Sequence, residues 1–238
     1  MYSHRSSTGP VDLAFTDRYG GVSAAPFDSL NLALTGEDDP ESTRRNVAVL
    51  LEDFAPDAVL RDMEQVHGAT VVRAGGARQQ CDALVTDRAG LVLMVRVADC
   101  VPVLLADAGA GVIGAAHAGR QGLASGVVTG CVEEMRLLGA GQIEAWIGPH
   151  ICGRCYEVPA ALQQEVVAVE PASVSTTSWG TPGLDIGAGV TAQLERLGVH
   201  VHGAFRCTTE SADLYSYRRD GARAGRSAGV IRTRRMSR

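Results

Sequence analysis

Three apolar runs follow one another in the middle of the chain: GLVLMVRVA from position 90, VPVLLAD from 101 and VIGAAHA from 112. They are too apolar to alternate between a wet and a dry face, so each reads as a central strand buried on both sides. Such strands need cover above and below the sheet, which restricts the fold to layered architectures. The breaks carry groups foreign to a core. Asp99 and Cys100 precede the second run, and His117 ends the third.

Around these runs the periodicity changes character. VDLAF at 11–15 predicts a first strand, followed by a loop at Gly20 and Gly21. A proline near the start and apolar Val47, Leu50, Leu51 and Phe54 at helical spacing predict a helix over 41–54. Two short strands are expected either side of His67-Gly68. From Gly119, the apolar residues Leu123, Val127, Cys131, Met135 and Leu138 predict one helix of about 20 residues ending at Gly139. Further helices are expected near 159–169 and 186–197, with strands at 199–205 and at the C-terminal end. Strands and helices interleave throughout, an α/β pattern without repeat or long linker. The expectation is one domain over 1–238, with flexible tails at 1–10 and 233–238.

Composition removes several classes of function. A net charge of −5 and 5% aromatic residues give neither the basic field nor the stacking rings of a nucleic-acid binder. All 22 basic residues are arginine, which removes a P-loop or Schiff-base lysine. No apolar leader and no membrane-length apolar segment is read, so no membrane partner is expected and the location is expected to be cytoplasmic. There the six cysteines act as thiols or ligands more readily than as a disulfide framework.

His67, Cys100 and His117 each sit where a strand ends or bends. If those ends meet, one thiolate and two imidazoles form a borderline-soft donor set suited to Zn²⁺, with three ligands leaving a coordination position open. The residues alone equally permit satisfied polar groups beside a small hydrophobe, or a Cys–His nucleophile pair. Cys131, on an apolar helical stripe, reads as core. The CGRC of 152–155 has no second CxxC and reads as a structural or loop element, and His150 either lines a pocket or ends a strand.

Seven stretches, FTDRYGGVS, LNLAL, QVHG, ADCVPVLLAD, AHAGRQGL, IGPHICGRCYEV and SYRRDGARAGRSAGVI, resemble in content and order the laccase-domain family. That family is labelled polyphenol oxidase and is also understood as bacterial-type purine nucleoside phosphorylases; the resemblance runs from about residue 12 to 231. It implies a four-layer α/β/β/α sandwich with mixed sheets, and zinc held by His67, Cys100 and His117. It also implies phosphorolysis of adenosine, inosine, guanosine and methylthioadenosine, with some adenosine deamination. The family's His-Ala-Gly-Trp-Arg-Gly is here HAGRQG, placing Arg120 and Gln121 where tryptophan and arginine are usual.

The implied reaction needs groups that hold phosphate beside an oxocarbenium-like C1′. Arg18, Arg218 and Arg219 are the candidates, since guanidinium forks match phosphate oxygens. Asp99 could relay a proton, including in a metal-assisted deamination, or orient a histidine ligand. Gln65, two residues from His67, is a candidate pocket residue. Three rivals stand: a copper-dependent polyphenol oxidase, a Cys-dependent hydrolase of a cell-wall precursor amide or ester, and a non-catalytic binding module.

Overall fold

The computed structural model describes residues 1–203 and 206–234. In chain order the strands are β1 Tyr2–Thr8, β2 Val11–Thr16, β3 Val59–Asp62, β4 Val71–Arg73, β5 Ala83–Thr86, β6 Leu91–Val97, β7 Val101–Asp107, β8 Val112–Ala118, β9 Glu144–Ile147, β10 Val174–Thr176, β11 Pro182–Leu184, β12 His200–Gly203 and β13 Ser227–Thr233. The helices are α1 Pro40–Phe54, α2 Arg120–Ala124, α3 Val127–Leu137, α4 Ala160–Val169, α5 Ile186–Arg196 and α6 Tyr217–Asp220.

Two mixed sheets stack face to face. One has the order β1-β2-β13-β6-β3 and the other β12-β9-β7-β8-β5-β4, with β10 and β11 forming a separate hairpin. Each sheet combines antiparallel and parallel pairs: β3 lies parallel to β6 in the first, while β4–β5 and β9–β12 are parallel in the second. Helix α1 covers the outer face of the first sheet, and α3, α4 and α5 cover the second, giving the expected α/β/β/α sandwich.

The uniform apolarity of the central strands follows from this layering, because successive side chains enter different cores. In β6, Leu93 and Val95 face the inter-sheet core, while Val92 and Met94 pack with Leu50 and Phe54 of α1. In β7, Leu104 and Ala106 join the inter-sheet core, and Val103 and Leu105 meet α3 and α5 through Cys131, Val132 and Leu194. Cys131 is fully buried, and burial pushes its thiol up to about 12, as suits a core residue.

Helix α1 begins where the sequence indicated. The Asp39 carboxylate accepts from the N–H groups of Glu41 and Ser42, and Pro40 occupies the first turn. The helix expected from 119 to 138 is instead two helices, α2 and α3. Gly126 between them adopts φ +77°, a left-handed conformation that interrupts the helical path. The expected N-terminal tail is also corrected: Tyr2–Thr8 pairs antiparallel with β2 as an edge strand. At the other end Thr233 belongs to β13, and the tail segment 235–238 lies outside the described residues, as do 204 and 205 of the expected strand 199–205. No helix of the described residues is long and apolar enough to cross a membrane.

A buried carboxylate ties the β7–β8 turn to the loop between α3 and β9. Asp107 accepts N–H bonds from Ala110 (2.8 Å), Gly141 (2.7 Å) and Gln142 (2.8 Å). Burial alone would raise its pKa, but these backbone bonds hold it below the ordinary value. A depressed carboxyl contributes stability that is present above the unfolded-state pKa and is lost as pH falls through the folded value. Asp107→Asn is therefore expected to cost about 2 kcal/mol at neutral pH and to flatten the loss of stability below about pH 4. Denaturant titrations at pH 7 and pH 3 measure this; an unchanged pH dependence counts against it.

Candidate active site

The antiparallel order of the second sheet creates the site. β7 starts at Val101 opposite Ala118 of β8, and β5 starts at Ala83 opposite Ala116. Cys100 and Asp82, each one residue before its strand, therefore flank His117 near the end of β8. His117 shares the face of Ile113 and Ala115, so its ring lies at the rim of the inter-sheet core, nearly fully buried. His67 reaches the same point from the β3–β4 connection. One donor atom from each of His67, Cys100 and His117 lies within 4.8 Å of the others. The Cys100 Sγ to His67 Nε2 distance is 3.8 Å, and the two imidazoles meet edge to face with centroids 4.7 Å apart.

Asp82 organises this arrangement, and the sequence reading did not single it out. Its Oδ1 accepts from His117 Nδ1 (2.8 Å) and from the His67 N–H (3.0 Å). Its Oδ2 accepts from Gly68 N–H (2.7 Å) and Val66 N–H (3.3 Å). Burial would lift this fully buried carboxyl, but the bonds from His117, Gly68 and Val66 hold it below its ordinary value. Asp82 thereby fixes the turn in which His67 takes φ +61°, a conformation that is uncommon for a side chain other than glycine. With Nδ1 committed to Asp82, His117 presents Nε2 to the site.

The electrostatics favour an anionic sulfur. Burial would raise the Cys100 thiol, but hydrogen bonds from His117 and His67 and their positive charge bring it down to about 6. Burial would depress His117, yet Asp82 and Cys100 lift it to about 9. Two imidazole nitrogens and a thiolate at this spacing match the donor preferences of a divalent ion such as zinc, and a carboxylate behind one histidine is the usual support of such ligands. Gly119 leaves room beside them: a Cβ there would lie 3.0 Å from His67 Cδ2 and 3.2 Å from Cys100 Sγ.

Above the donors opens a cavity of about 800 Å³, within the size range of small-molecule sites. Leu34, Met63, Ile151 and Ile186 supply apolar wall, Tyr156 and Tyr217 add rings, and Arg96, Arg120, Arg218 and Arg226 bring guanidinium groups to the lining. Arg96 is anchored by Asp62 (2.8 Å) and the Leu32 carbonyl (2.5 Å), and its remaining Nη1 is buried with no hydrogen-bond partner among the described residues.

The structure separates the residues expected from sequence. Arg218 lines the cavity, stacked 5.0 Å from the Tyr156 ring centroid and bonded to the Glu157 carbonyl. Arg18 does not line it; its guanidinium donates to the carbonyls of Pro26 and Asp28 and covers Tyr215. Arg219 is likewise turned into its own loop, where it donates to the carbonyls of Thr208, Ser211 and Leu214. Asp99 borders the cavity at φ +88°, but its carboxylate accepts from Thr208 Oγ1 and the Arg218 N–H, both at 2.6 Å, so Asp82 and not Asp99 orients the histidine. Gln65 lines the cavity while its amide bonds both the N–H and the carbonyl of Arg96. His150 is buried away from the cavity lining, its Nδ1 on the Gly148 carbonyl and its ring packed against Gly187. Arg120 reaches the cavity and Gln121 is not part of its lining. Arg226, which no sequence signal distinguished from other loop arginines, is brought in by the start of β13.

The profile described as multi-copper polyphenol oxidoreductase laccase matches residues 12–234. The chain belongs to this family. A Streptomyces coelicolor protein named purine nucleoside phosphorylase is 50% identical over 97% of this chain and 99% of its own length. A Mycobacterium tuberculosis protein of the same name is 44% identical, with 95% of each chain covered. Among solved structures, the Neisseria meningitidis protein NMB0706 superposes with a TM-score of 0.88 at 30% identity, covering 98% of this chain and 99% of its own. YlmD from Geobacillus stearothermophilus gives 0.87 at 31% identity over 95% and 93% of the two chains.

Proposed function

We propose that this family member is a purine nucleoside phosphorylase whose site is built on a zinc ion held by His67, Cys100 and His117. The observation that carries the reading is the juxtaposition of that donor set with an arginine-rimmed cavity, in a chain half identical to a protein named for this activity. The apolar wall of Leu34, Met63, Ile151 and Ile186 suits a purine, and the guanidinium groups of Arg218, Arg226 and Arg120 suit phosphate. Phosphorolysis joins a phosphate oxygen to C1′ as the C1′–N9 bond breaks. The arginines hold the anion against a carbon gaining positive charge, and the apolar wall orients the departing base. When bound, the cation supplies Lewis acidity at the cavity floor.

The test is to incubate purified protein with inosine and phosphate and to resolve hypoxanthine and ribose 1-phosphate by chromatography, with elemental analysis of the same sample. Adenosine, guanosine and methylthioadenosine extend the panel, and inosine formed from adenosine reports deamination. Absence of turnover with all four nucleosides overturns the reading. The family's copper-oxidase description motivates a second reading. Stoichiometric copper and oxygen uptake with a phenol would favour that oxidase, because zinc does not cycle electrons. The location in the cytoplasm belongs with this proposal, as the setting in which nucleoside and phosphate are met.

The two arginines that the fold separates make a paired prediction. Arg218→Ala is expected to raise the KM for phosphate about 10-fold or more, because a charged contact is lost. Arg18→Ala is expected to leave kinetics near wild type and to lower Tm by a few degrees, since its guanidinium holds the 26–28 loop. Initial rates against phosphate and thermal melts of both variants decide; an unchanged phosphate KM for Arg218→Ala removes it from the site.

A further inference from the structure

The CGRC segment, which the sequence marks as a structural or loop element and not as a metal or redox motif, gains partners in the fold. The chain after β9 and the segment from 206 run side by side: His150 N–H donates to the Arg206 carbonyl (3.2 Å), and Thr208 N–H donates to the His150 carbonyl (3.0 Å). This brings Cys207 and Glu210 to Cys152 and Cys155, and one ligand atom from each of the four lies within 4.8 Å of the others. The turn is shaped to present both sulfurs together, because the N–H groups of Cys155 and Tyr156 both bond to the Cys152 carbonyl at 3.0 Å. Gly153 lets the turn lie flat: a Cβ there would sit 2.5 Å from Ser175 Oγ. All the cysteines are free thiols, so the cluster is not explained by a disulfide.

We propose that Cys152, Cys155, Cys207 and Glu210 form a second, closed zinc site that staples the loop after β9 to the segment 206–210. Sulfurs around tetrahedral zinc lie about 3.8 Å apart, so the present spacing needs only a small inward movement. The Cys152 N–H already donates to Cys207 Sγ (3.5 Å), a contact that stabilises a thiolate ligand. Binding releases three thiol protons to solvent and leaves a net charge of about −2, partly offset by Arg154, 3.8 Å from Glu210. With four protein ligands the site has no open position, so its role is structural. It shares no residue with the His67–Cys100–His117 set, and none of the four lines the cavity. Its neighbours do: Ile151 and Tyr156 flank the two CGRC cysteines on the cavity wall, while Thr208, next to Cys207, holds Asp99. The staple would therefore fix one wall of the cavity.

The proposal is independent of the nucleoside reading and is tested in a background that lacks the other site. Full-length His67→Ala/His117→Ala protein, loaded with zinc and dialysed, is expected to retain about one zinc per chain, and the same protein carrying Cys207→Ser about none. Cobalt loaded in place of zinc is expected to give a thiolate charge-transfer band that disappears with Cys207→Ser. Because Cys207→Ser could disturb folding, a second measurement uses the wild-type chain. There, Cys152, Cys155 and Cys207 are expected to resist alkylation when zinc-loaded and to react after chelation, as read by peptide mass spectrometry. Zinc-free double variant, zinc that survives Cys207→Ser in it, alkylation indifferent to chelator, or a disulfide recovered among the three cysteines would each overturn the proposal.

Discussion

If the proposed zinc site is right, His117→Ala and Cys100→Ser are each expected to strip its metal and to lower kcat/KM for inosine phosphorolysis by about 1,000-fold or more. A three-donor site has no spare ligand, so losing an imidazole or a thiolate leaves two donors and an ion exposed to competition from solvent. Lewis acidity at a reacting centre contributes several kcal/mol, and about 4 kcal/mol corresponds to three orders of magnitude in rate. The variants should remain folded. His117 touches the inter-sheet core only at its rim, and the four hydrogen bonds to Asp82 include three from backbone N–H groups that persist without the imidazole. Zinc per chain and steady-state rates, measured beside circular dichroism, test this. Full activity in a metal-depleted His117→Ala protein would refute the metal's part in the reaction.

Asp82→Asn is expected to weaken zinc binding about 10- to 100-fold and to destabilise the fold by about 2–4 kcal/mol, although the substitution changes almost no volume. Both Asp82 oxygens accept from donors: His117 and His67 on one side, Gly68 and Val66 on the other. An asparagine has one acceptor and one donor, so either orientation turns an NH₂ group against N–H groups in a fully buried place. If the NH₂ takes the Oδ2 side, Val66 and Gly68 lose the bonds that hold the turn on either side of His67. If it faces His117, the imidazole loses its fixed tautomer, which is the kind of support whose removal lowers metal affinity by this factor. Zinc competition titrations and chemical denaturation measure the two effects separately. Unchanged affinity would mean that the histidine is oriented by something other than Asp82.

Most of the layered fold was legible in the chain. The continuous apolarity of β6, β7 and β8 indicated strands covered on both faces, and those faces indeed enter separate cores. The periodicity of α1, α4 and α5 marked helices in place, because tertiary contacts there agree with local preference. Between 119 and 138 the apolar spacing runs on through Gly126, and only the left-handed turn at that glycine splits α2 from α3. Strand β1 carries serines, histidine and arginine because it is a partly exposed edge, so its apolar signal is weak. The CGRC motif had one half of its partners in view; Cys207 and Glu210 come from more than fifty positions away.

From the sequence came the candidates His67, Cys100 and His117, thiol and imidazole at the ends of apolar strands, and it was the family resemblance that favoured a metal set over a nucleophile pair or core residues. The pairing of β5, β7 and β8 brought Asp82, Cys100 and His117 together, since antiparallel neighbours set the start of one strand against the end of another, and the bond from the His67 N–H to Asp82 added His67 from the β3–β4 connection. The same pairing selected Asp82 over Asp99 as the carboxylate behind the histidine, and loop hydrogen bonds drew Arg18 and Arg219 away from the cavity while Arg218 and Arg226 stayed on it. Carboxylates and guanidinium groups are common along any chain, and their work depends on what lies within about 3 Å, a distance set by tertiary contacts and not by neighbours in sequence.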